Sequence, residues 1–332
     1  MAHELSMFEG VAEMAYAGAT PWHGLGQKVE ADAPIEVWRE QAGLNWQINR
    51  SPVQYGVPGE GKYIDGKFVL GQELKPYADS HVLWRSDNHK PLSVVSDTYK
   101  VVQPEQMLEF YRDLVANEGF QIETIGSLKG GRRIWAMAKT NIEAEVLYGD
   151  NVKAYLVLVT SCDGSLATTG MFTSVRVVCN NTMQMALGEA GAGAVKMRHN
   201  MVFNPNAMKG KLGLMGSDVF GNYMQSMEAL TKIKIDAFKA DAFLSNLLKT
   251  SAEHGDISKT KGYQTLMGLF QGGAIGSQID GVQGTGWGML NAVTEYVDHK
   301  IRANSNENRL NSAWFGAGAN MKQQAAAMLL AA

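Results

Sequence analysis

Apolar and polar residues follow two different periods in the first hundred residues of the chain. Residues 34–42 begin with a proline and carry apolar side chains at helical spacing, which predicts a short helix. From residue 44 onward the pattern alternates with a period of two, as in half-buried strands. We therefore predict strands at residues 45–54, 62–70 and 80–95, with turns at Asp65-Gly66 and at residues 86–88.

An amphipathic helix and a compact series of hairpins follow. Pro104 begins a helix over residues 104–117 whose apolar positions recur every three or four residues, and Gly119 ends it. Glycine-containing turns then separate predicted strands at residues 120–128, 132–139, 153–161, 166–172 and 174–179. Asn181 or Thr182 can cap a further short helix over residues 182–188.

The hydrophobic pattern of the last third of the chain predicts mainly helices. After an extended piece at residues 195–199, long amphipathic stretches cover residues 218–250 and 284–302. The predicted fold class is α+β, with antiparallel β-hairpin sheets backed by helices and a mainly helical C-terminal third. We predict three parts: an N-terminal arm at residues 1–33, an α+β core domain at 34–200, and a helical region at 201–332 packed on that core.

The amino-acid composition excludes two classes of protein. Of the 332 residues 45% are hydrophobic and the formal net charge is −3, which excludes a mainly disordered chain and a uniformly basic nucleic-acid coat. Only two cysteines occur, no secretory signal begins the chain, and no apolar run has the length of a membrane span. We therefore expect a cytoplasmic protein that does not enter membranes.

Few residues suit a catalytic or metal site. Cys162 and Cys179 lack the neighbouring ligands of a zinc site, and a nucleophilic cysteine would need a partner such as His199. Glu295 and Asp298 lie three residues apart on the last amphipathic stretch, which fits acid–base chemistry or an ion pair. We predict no metal and no cofactor.

Three further residues are candidates for ligand binding or for packing. Trp22 and His23 lie in the glycine-rich run at residues 21–26, where they either contact a ligand or fill the core of a turn. Asn181 ends an extended run and has the same two interpretations. The sequence does not distinguish a ligand-binding role from a packing role for these three residues.

Charge is distributed unevenly along the chain. Residues 1–150 carry 14 basic and 21 acidic side chains, whereas residues 151–332 carry 16 and 12. Cations surround the glycine turn at residues 129–131 and recur on the extended segments after it. Because spaced cations can follow the phosphates of a single nucleic-acid strand, we predict backbone contacts from Lys129, Arg132, Arg133, Arg176, Lys196 and Arg198. The alternative is a set of merely solvated side chains.

Five runs of sequence carry a resemblance to a known family. They are PWHGLG at residues 21–26, SDTYKVVQ at 96–103, TSCDGS at 160–165, VRVVCNNT at 175–182 and NAVTEYVDH at 291–299. Together they resemble a family of phage- and plasmid-encoded proteins that is known only as a domain of unknown function. The resemblance implies a mobile-element context and the cytosol of a bacterial or phage-infected host.

The order of predicted elements is also similar to the annealing core of single-strand annealing recombination proteins. That similarity implies a curved antiparallel sheet that assembles into a ring or filament and holds single-stranded DNA by its backbone. We therefore expect a homo-oligomeric DNA-metabolism protein that binds and anneals single-stranded DNA without enzymatic activity, in recombination or replication. The alternatives are a nucleic-acid- or nucleotide-processing enzyme, and a structural or host-interaction protein of a mobile element.

Overall fold

The computed structural model describes residues 5–18, 25–176, 181–184, 194–248, 256–302, 309, 312–314 and 316–331. Within these ranges antiparallel sheets dominate the first part of the chain, and helices dominate from residue 205 onward. The predicted α+β class and the helical C-terminal region are therefore confirmed. Among the described residues, no helix combines the length and the hydrophobicity that crossing a membrane requires.

The described strands are β1 (Met7–Phe8), β2 (Val11–Ala12), β3 (Met14–Tyr16), β4 (Gln27–Lys28), β5 (Ile48–Ile64), β6 (Lys67–Arg85), β7 (Pro91–Ser96), β8 (Gln121–Leu128), β9 (Arg133–Leu147), β10 (Asp150–Ser161), β11 (Thr168–Arg176), β12 (Asn181–Gln184) and β13 (Ala194–Met197). The described α-helices are α1 (Ile35–Gln41), α2 (Pro104–Asn117), α3 (Pro205–Lys232), α4 (Ala237–Leu248), α5 (Lys261–Gly268), α6 (Gly286–Glu295) and α7 (Ala317–Leu330).

The central sheet has the strand order β12-β11-β10-β9-β8-β3-β4, and β13 also pairs with β11. Its middle strands are joined in sequence as antiparallel hairpins, while β3 and β4 are parallel. Every residue of β11 is buried, so this part of the sheet is covered on both faces. Such strands need packing partners on each side, which the helices of the rest of the chain supply in part.

Helix α2 packs on one face of the sheet and was predicted from local signals. Pro104 occupies its first turn, and the Gln106 side chain accepts a hydrogen bond from the Gln103 backbone N–H at 2.8 Å. The Tyr111 hydroxyl donates to the backbone carbonyls of Ala136 at 2.8 Å and Leu156 at 3.1 Å. The predicted helix over residues 104–117 is therefore confirmed, and its buried side is anchored on β9 and β10.

A second, three-stranded sheet has the order β5-β6-β7. The turn at Asp65-Gly66 is confirmed, with φ values of 47° and 76° that suit a hairpin. The predicted breaks between strands were wrong, because β5 and β6 run without interruption through residues 55–61 and 71–79. Prolines and glycines are tolerated there since each strand of a two-stranded ribbon has one unpaired edge. The predicted strand at 80–95 is divided by the predicted turn at residues 86–88.

Two helical predictions also need correction. Residues 181–184 form strand β12, in which Asn181 pairs with Arg176, rather than the start of a helix at residue 182. The hydrogen-bonding edge of β11 outweighs the local capping signal, and residues 185–188 lie outside the described residues. The helix predicted from residue 218 begins at Pro205, where Asn204 caps it, and it ends at Lys232 before α4. The predicted stretch at 284–302 contains α6 and a π-helical turn at Tyr296–Lys300.

A buried ion pair joins the two sheets. The Arg85 guanidinium donates two hydrogen bonds to the Glu13 carboxylate, and both side chains are only 3% exposed. Asp87 also accepts from Arg85 at 2.6 Å, the Ser127 hydroxyl donates to Glu13, and the guanidinium lies 4.1 Å from the centre of the Trp46 ring. Burial alone would lower the pKa of Arg85, but the hydrogen bonds to Glu13 and Asp87 raise it overall. The Arg85 guanidinium therefore stays charged in the interior.

Removing one partner of this pair should strongly destabilise the fold. Glu13→Ala leaves the Arg85 charge buried with its main acceptor missing, so we expect a loss of about 3–5 kcal/mol in the free energy of unfolding. The control is Glu105→Ala, which removes an exposed partner of Arg39 and should change that free energy by less than about 1 kcal/mol. Urea denaturation followed by circular dichroism measures both, and similar losses in the two variants would contradict a structural role for Glu13.

Candidate nucleic-acid interface

The glycine turn between β8 and β9 presents two cations to solvent. Lys129, Gly130 and Gly131 all have positive φ values, of 57°, 68° and 96°. A Cβ atom on Gly131 would lie 2.9 Å from the Trp46 ring, so the close approach there requires glycine. Arg85 donates a hydrogen bond to the Gly130 carbonyl at 3.3 Å. The exposed side chains of Lys129 and Arg132 therefore project from a turn that the buried ion pair holds in place.

Arg133 follows this turn but faces the interior. Its side chain lies at the start of β9 and the residue is only 6% exposed. The guanidinium donates to the Ser165 hydroxyl at 2.9 Å, which ties β9 to the neighbouring turn at residues 162–165. The Arg133 side chain is therefore less accessible to a phosphate than that of Arg132, and its contact with a phosphate stays a prediction.

The turn at Cys162 and Asp163 lies beside Arg132. The Cys162 backbone N–H donates to the Arg132 carbonyl at 2.9 Å. Burial, together with the charge of Asp163, raises the pKa of the Cys162 thiol to about 12, so the thiolate that a nucleophile needs is disfavoured at neutral pH. Burial raises the pKa of Asp163, but hydrogen bonds from Ser165 and Ser161 and the charge of Arg133 lower it overall. Asp163 is therefore an anion among these cations.

His199 connects three segments at the same end of the sheet. One ring nitrogen lies 3.0 Å from the Lys100 carbonyl and the other lies 3.2 Å from the Leu166 carbonyl. The imidazole stacks on the Tyr99 ring at 4.6 Å between centroids, and the Tyr99 hydroxyl donates to the Ser161 carbonyl at 2.8 Å. These contacts place the exposed side chains of Lys100 and Arg198 next to the turn that follows β10.

Five exposed cations consequently lie along one end of the central sheet, and we call this set the basic rim: Lys100, Lys129, Arg132, Lys196 and Arg198. Lys196 of β13 pairs with Thr169 of β11, and the same row of residues continues across β10 to Trp135 of β9. At a strand spacing of about 4.8 Å, the rim spans roughly 14 Å between β9 and β13. Among the described contacts, Lys100, Arg132, Lys196 and Arg198 form no ion pair.

Arg176 lies at the opposite end of the sheet, inside the protein. It pairs with Val152 of β10, whereas Arg133 pairs with Ser161, nine residues further along the same strand. That separation corresponds to about 30 Å. The residue is 3% exposed, so a phosphate of a strand bound at the rim does not reach it. The structure therefore does not bring Arg176 together with the other predicted cations.

The Arg176 guanidinium is engaged by a buried acid. It donates to both carboxylate oxygens of Asp150, at 2.6 and 2.7 Å, and to the backbone carbonyls of Ile275 and Gly276. The indole N–H of Trp287 donates to Asp150 at 2.8 Å. This network joins the ends of β10 and β11 to the C-terminal helical region. Arg176 thus has a structural role in the described contacts.

A small cavity lies beside this network. Its lining is composed of Ser174, Arg176, Tyr223, Trp287, Leu290, Asn291 and Thr294. The space accommodates about one water molecule. A cavity of this size is too small for a nucleotide.

The other candidate residues are dispersed. Glu295 is buried and accepts a hydrogen bond from the Ile275 backbone N–H at 2.8 Å, and Asp298 accepts one from Lys322 at 2.7 Å. Within the described ranges, no group of three or more His, Cys, Asp and Glu side chains could hold a metal ion. Trp22, His23 and Cys179 lie outside the described residues. Asn181 has a described backbone in β12, which pairs with β11.

Sequence reasoning missed Lys100 and the positioning role of His199. Lys100 lies in the run at residues 96–103, far from the cation-rich segment along the chain. Its proximity to Arg198 depends on the contact between residues 100 and 199, where the Lys100 backbone N–H donates to the His199 carbonyl. No local signal predicts such a contact, because the two segments are separated by the hairpins of the central sheet.

Comparison with known proteins identifies a family for this chain. A family model with the description "Domain of unknown function (DUF932)" matches residues 91–314. No curated protein and no solved structure matches the chain. The matched range contains the whole basic rim, whereas β5 and β6 precede it.

Arg176 is buried and Arg132 is exposed, so the two side chains should contribute very differently to the free energy of unfolding. Arg176→Ala leaves the buried Asp150 carboxylate without its cation, and we expect the free energy of unfolding to fall by about 3–5 kcal/mol. Arg132→Ala removes an exposed side chain and should change it by no more than about 0.5 kcal/mol. Urea denaturation of both variants tests this. A stable Arg176→Ala protein would show that the network with Asp150 does not support the fold.

Proposed function

Since the chain belongs to the family described as a domain of unknown function (DUF932), we propose its activity from the site itself: non-enzymatic binding of single-stranded DNA along the basic rim. The observation that carries the proposal is the set of four exposed cations, Lys100, Arg132, Lys196 and Arg198, that have no ion pair among the described contacts. Exposed lysine and arginine side chains without an ion pair are the groups that replace counterions on a phosphate backbone. Lys129 lies in the glycine turn at the same end of the sheet.

The rim supports backbone contacts rather than base recognition. Tyr99 is the aromatic residue that lies closest in sequence to a rim cation, and its ring is already stacked on His199. Its hydroxyl is engaged by the Ser161 carbonyl. A strand held by its phosphates keeps its bases accessible to a complementary strand. This arrangement supports annealing as the consequence of binding, and it predicts little dependence on base sequence.

The rim is short, which supports assembly into a homo-oligomer. A width of roughly 14 Å accommodates only a few phosphates of an extended strand. Copies arranged in a ring or filament would join several rims into one continuous path. We propose that this assembly acts in recombination or replication of phage or plasmid DNA, in the cytosol of a bacterial or phage-infected host, as the five sequence runs suggest.

Binding should depend steeply on salt and on the rim cations. With about four phosphate contacts, a plot of log K against log salt concentration should have a slope of about −3 for a labelled oligonucleotide. The Arg132→Ala, Arg198→Ala double variant removes two contacts, so its slope should be about −1.4 and its affinity at low salt should fall by about tenfold or more. Fluorescence anisotropy measures both quantities.

The matched control is the Lys232→Ala, Lys261→Ala double variant, which removes the same charge from exposed positions on α3 and α5. Its affinity and salt slope should equal those of the unchanged protein. Equal losses in the two double variants would show that net charge alone governs binding. Failure of the assembled protein to bind at low salt would contradict the proposed function.

Asp163 should oppose binding because its carboxylate is ionised beside the rim. Hydrogen bonds and the charge of Arg133 hold the pKa of Asp163 below its usual value. Asp163→Asn removes this negative charge and keeps an oxygen that accepts from the Ser165 backbone N–H. We expect tighter binding to the oligonucleotide at low salt, and a smaller gain at high salt because of screening.

Anisotropy at two salt concentrations measures this effect. Asp280→Asn, at an exposed position in the glycine-rich segment before α6, serves as the control and should leave affinity unchanged. If Asp163→Asn and Asp280→Asn behave alike, the DNA path does not pass the turn at residues 162–165.

A further inference from the structure

The hairpin of β5 and β6 extends far beyond the sheet that it starts from. Strand β7 pairs only with residues 80–84 of β6, so the section from Val53 and Tyr77 to the turn at Asp65-Gly66 is two-stranded. We call residues 53–77 the distal ribbon. At about 3.3 Å per residue it is roughly 36 Å long. In the described part of the chain, neither of its edges has a strand partner.

Large apolar side chains cover the distal ribbon, although it has no core. Seven are exposed: Tyr55, Tyr63, Ile64, Val69, Leu70, Leu74 and Tyr77. At roughly 100 Å² each they present roughly 700 Å², divided between the two faces of the ribbon because side chains alternate along each strand. A two-stranded hairpin is marginally stable by itself in water. The ribbon therefore has the surface of a segment that is covered in its functional state.

The charge of the ribbon favours a protein partner over nucleic acid. Residues 53–77 contain three basic and three acidic side chains, Lys62, Lys67, Lys75, Glu60, Asp65 and Glu73, and their net charge is zero. Binding to DNA or to an anionic lipid surface draws on an excess of cations. A neutral, apolar surface with both signs of charge is instead suited to another protein surface of the same kind.

The order of charges along β6 is self-complementary. Lys67 and Glu73 lie three residues on either side of Leu70, and both are in β6. If the free edges of two copies pair antiparallel with Leu70 at the centre, Lys67 lies opposite Glu73 of the second copy, and Glu73 lies opposite Lys67. A two-fold axis through Leu70 thus creates two such pairs of opposite charge.

We infer that the distal ribbon is a dimerisation arm, in which the β6 edges of two copies of this chain pair antiparallel about a two-fold axis at Leu70. The two hairpins then form one four-stranded sheet, and the unpaired N–H and C=O groups of each β6 edge are satisfied. Leu70 of one copy then lies directly opposite Leu70 of the other, so the paired strands bring two exposed apolar side chains together at the axis. This inference specifies one contact within the homo-oligomer of the proposed function.

Cysteine crosslinking tests whether the two-fold axis lies at Leu70. Residues opposite each other in antiparallel strands have Cα atoms about 4.5–5.5 Å apart, which a disulfide can bridge. Leu70→Cys should therefore form a disulfide-linked dimer under mild oxidation. Leu74→Cys is the matched control because its exposure, 61% against 63%, and its face of the strand are the same. Its two copies would be about 27 Å apart, so it should stay uncrosslinked.

Exchanging the charges of Lys67 and Glu73 tests the register in which the two β6 strands pair. Lys67→Glu and Glu73→Lys each create two like-charge contacts across the axis, and each should raise the dimer dissociation constant by about tenfold. The double variant restores opposite charges and should return the dissociation constant to that of the unchanged protein. Sedimentation velocity of the full chain measures self-association, and thermal unfolding confirms that these exposed substitutions leave the fold intact.

Several outcomes would overturn the inference: a monomeric unchanged protein at tens of micromolar, equal crosslinking of Leu70→Cys and Leu74→Cys, or no recovery in the charge-exchanged double variant. If Lys67→Glu leaves sedimentation unchanged but abolishes binding to an oligonucleotide or to anionic vesicles, the ribbon binds that ligand instead. No DNA enters the crosslinking or sedimentation experiments. A failure of the ribbon contact is therefore distinguishable from a failure of DNA binding at the rim.

Discussion

The bidentate ion pair between Arg176 and Asp150 is the interaction on which the sheet and the helical region jointly depend. Both groups are buried, and an isolated charge in that position would be strongly destabilising. The carbonyls of Ile275 and Gly276 and the indole of Trp287 complete the hydrogen bonding. Because strands β10 and β11 are covered on both faces, their alignment and the position of α6 are set by the same polar contacts.

Five arginines fall into two groups with different roles according to their burial. Arg85 and Arg176 each bind a buried carboxylate, and the buried Arg133 side chain donates to the hydroxyl of Ser165, an exposed turn residue. Arg132 and Arg198 remain exposed at one end of the sheet. The first group positions backbone segments, including the glycine turn that carries Lys129 and Arg132. The proposed DNA path is therefore built from exposed cations whose places are set by buried ones.

Local signals were sufficient for part of the fold. Pro104, Gln106 and the apolar spacing of α2 act within one helix, and Asp65-Gly66 acts within one turn, so both were predicted. The helix expected at residue 182 became strand β12 because an unpaired edge of β11 was available. The continuity of β5 and β6 through prolines and glycines depends on cross-strand pairing, which a pattern read along one strand does not contain.

The sequence by itself determined the α+β class, the helical C-terminal third and the excess of cations after residue 150. Each of these follows from residue type and short-range order, which do not depend on distant contacts. Only the tertiary structure decided which cations face solvent. Arg176 is buried because Asp150 and Trp287, 137 residues apart along the chain, meet around it. Lys100 joins the basic rim because His199 contacts its backbone, and exposure is thus a property of the packed chain.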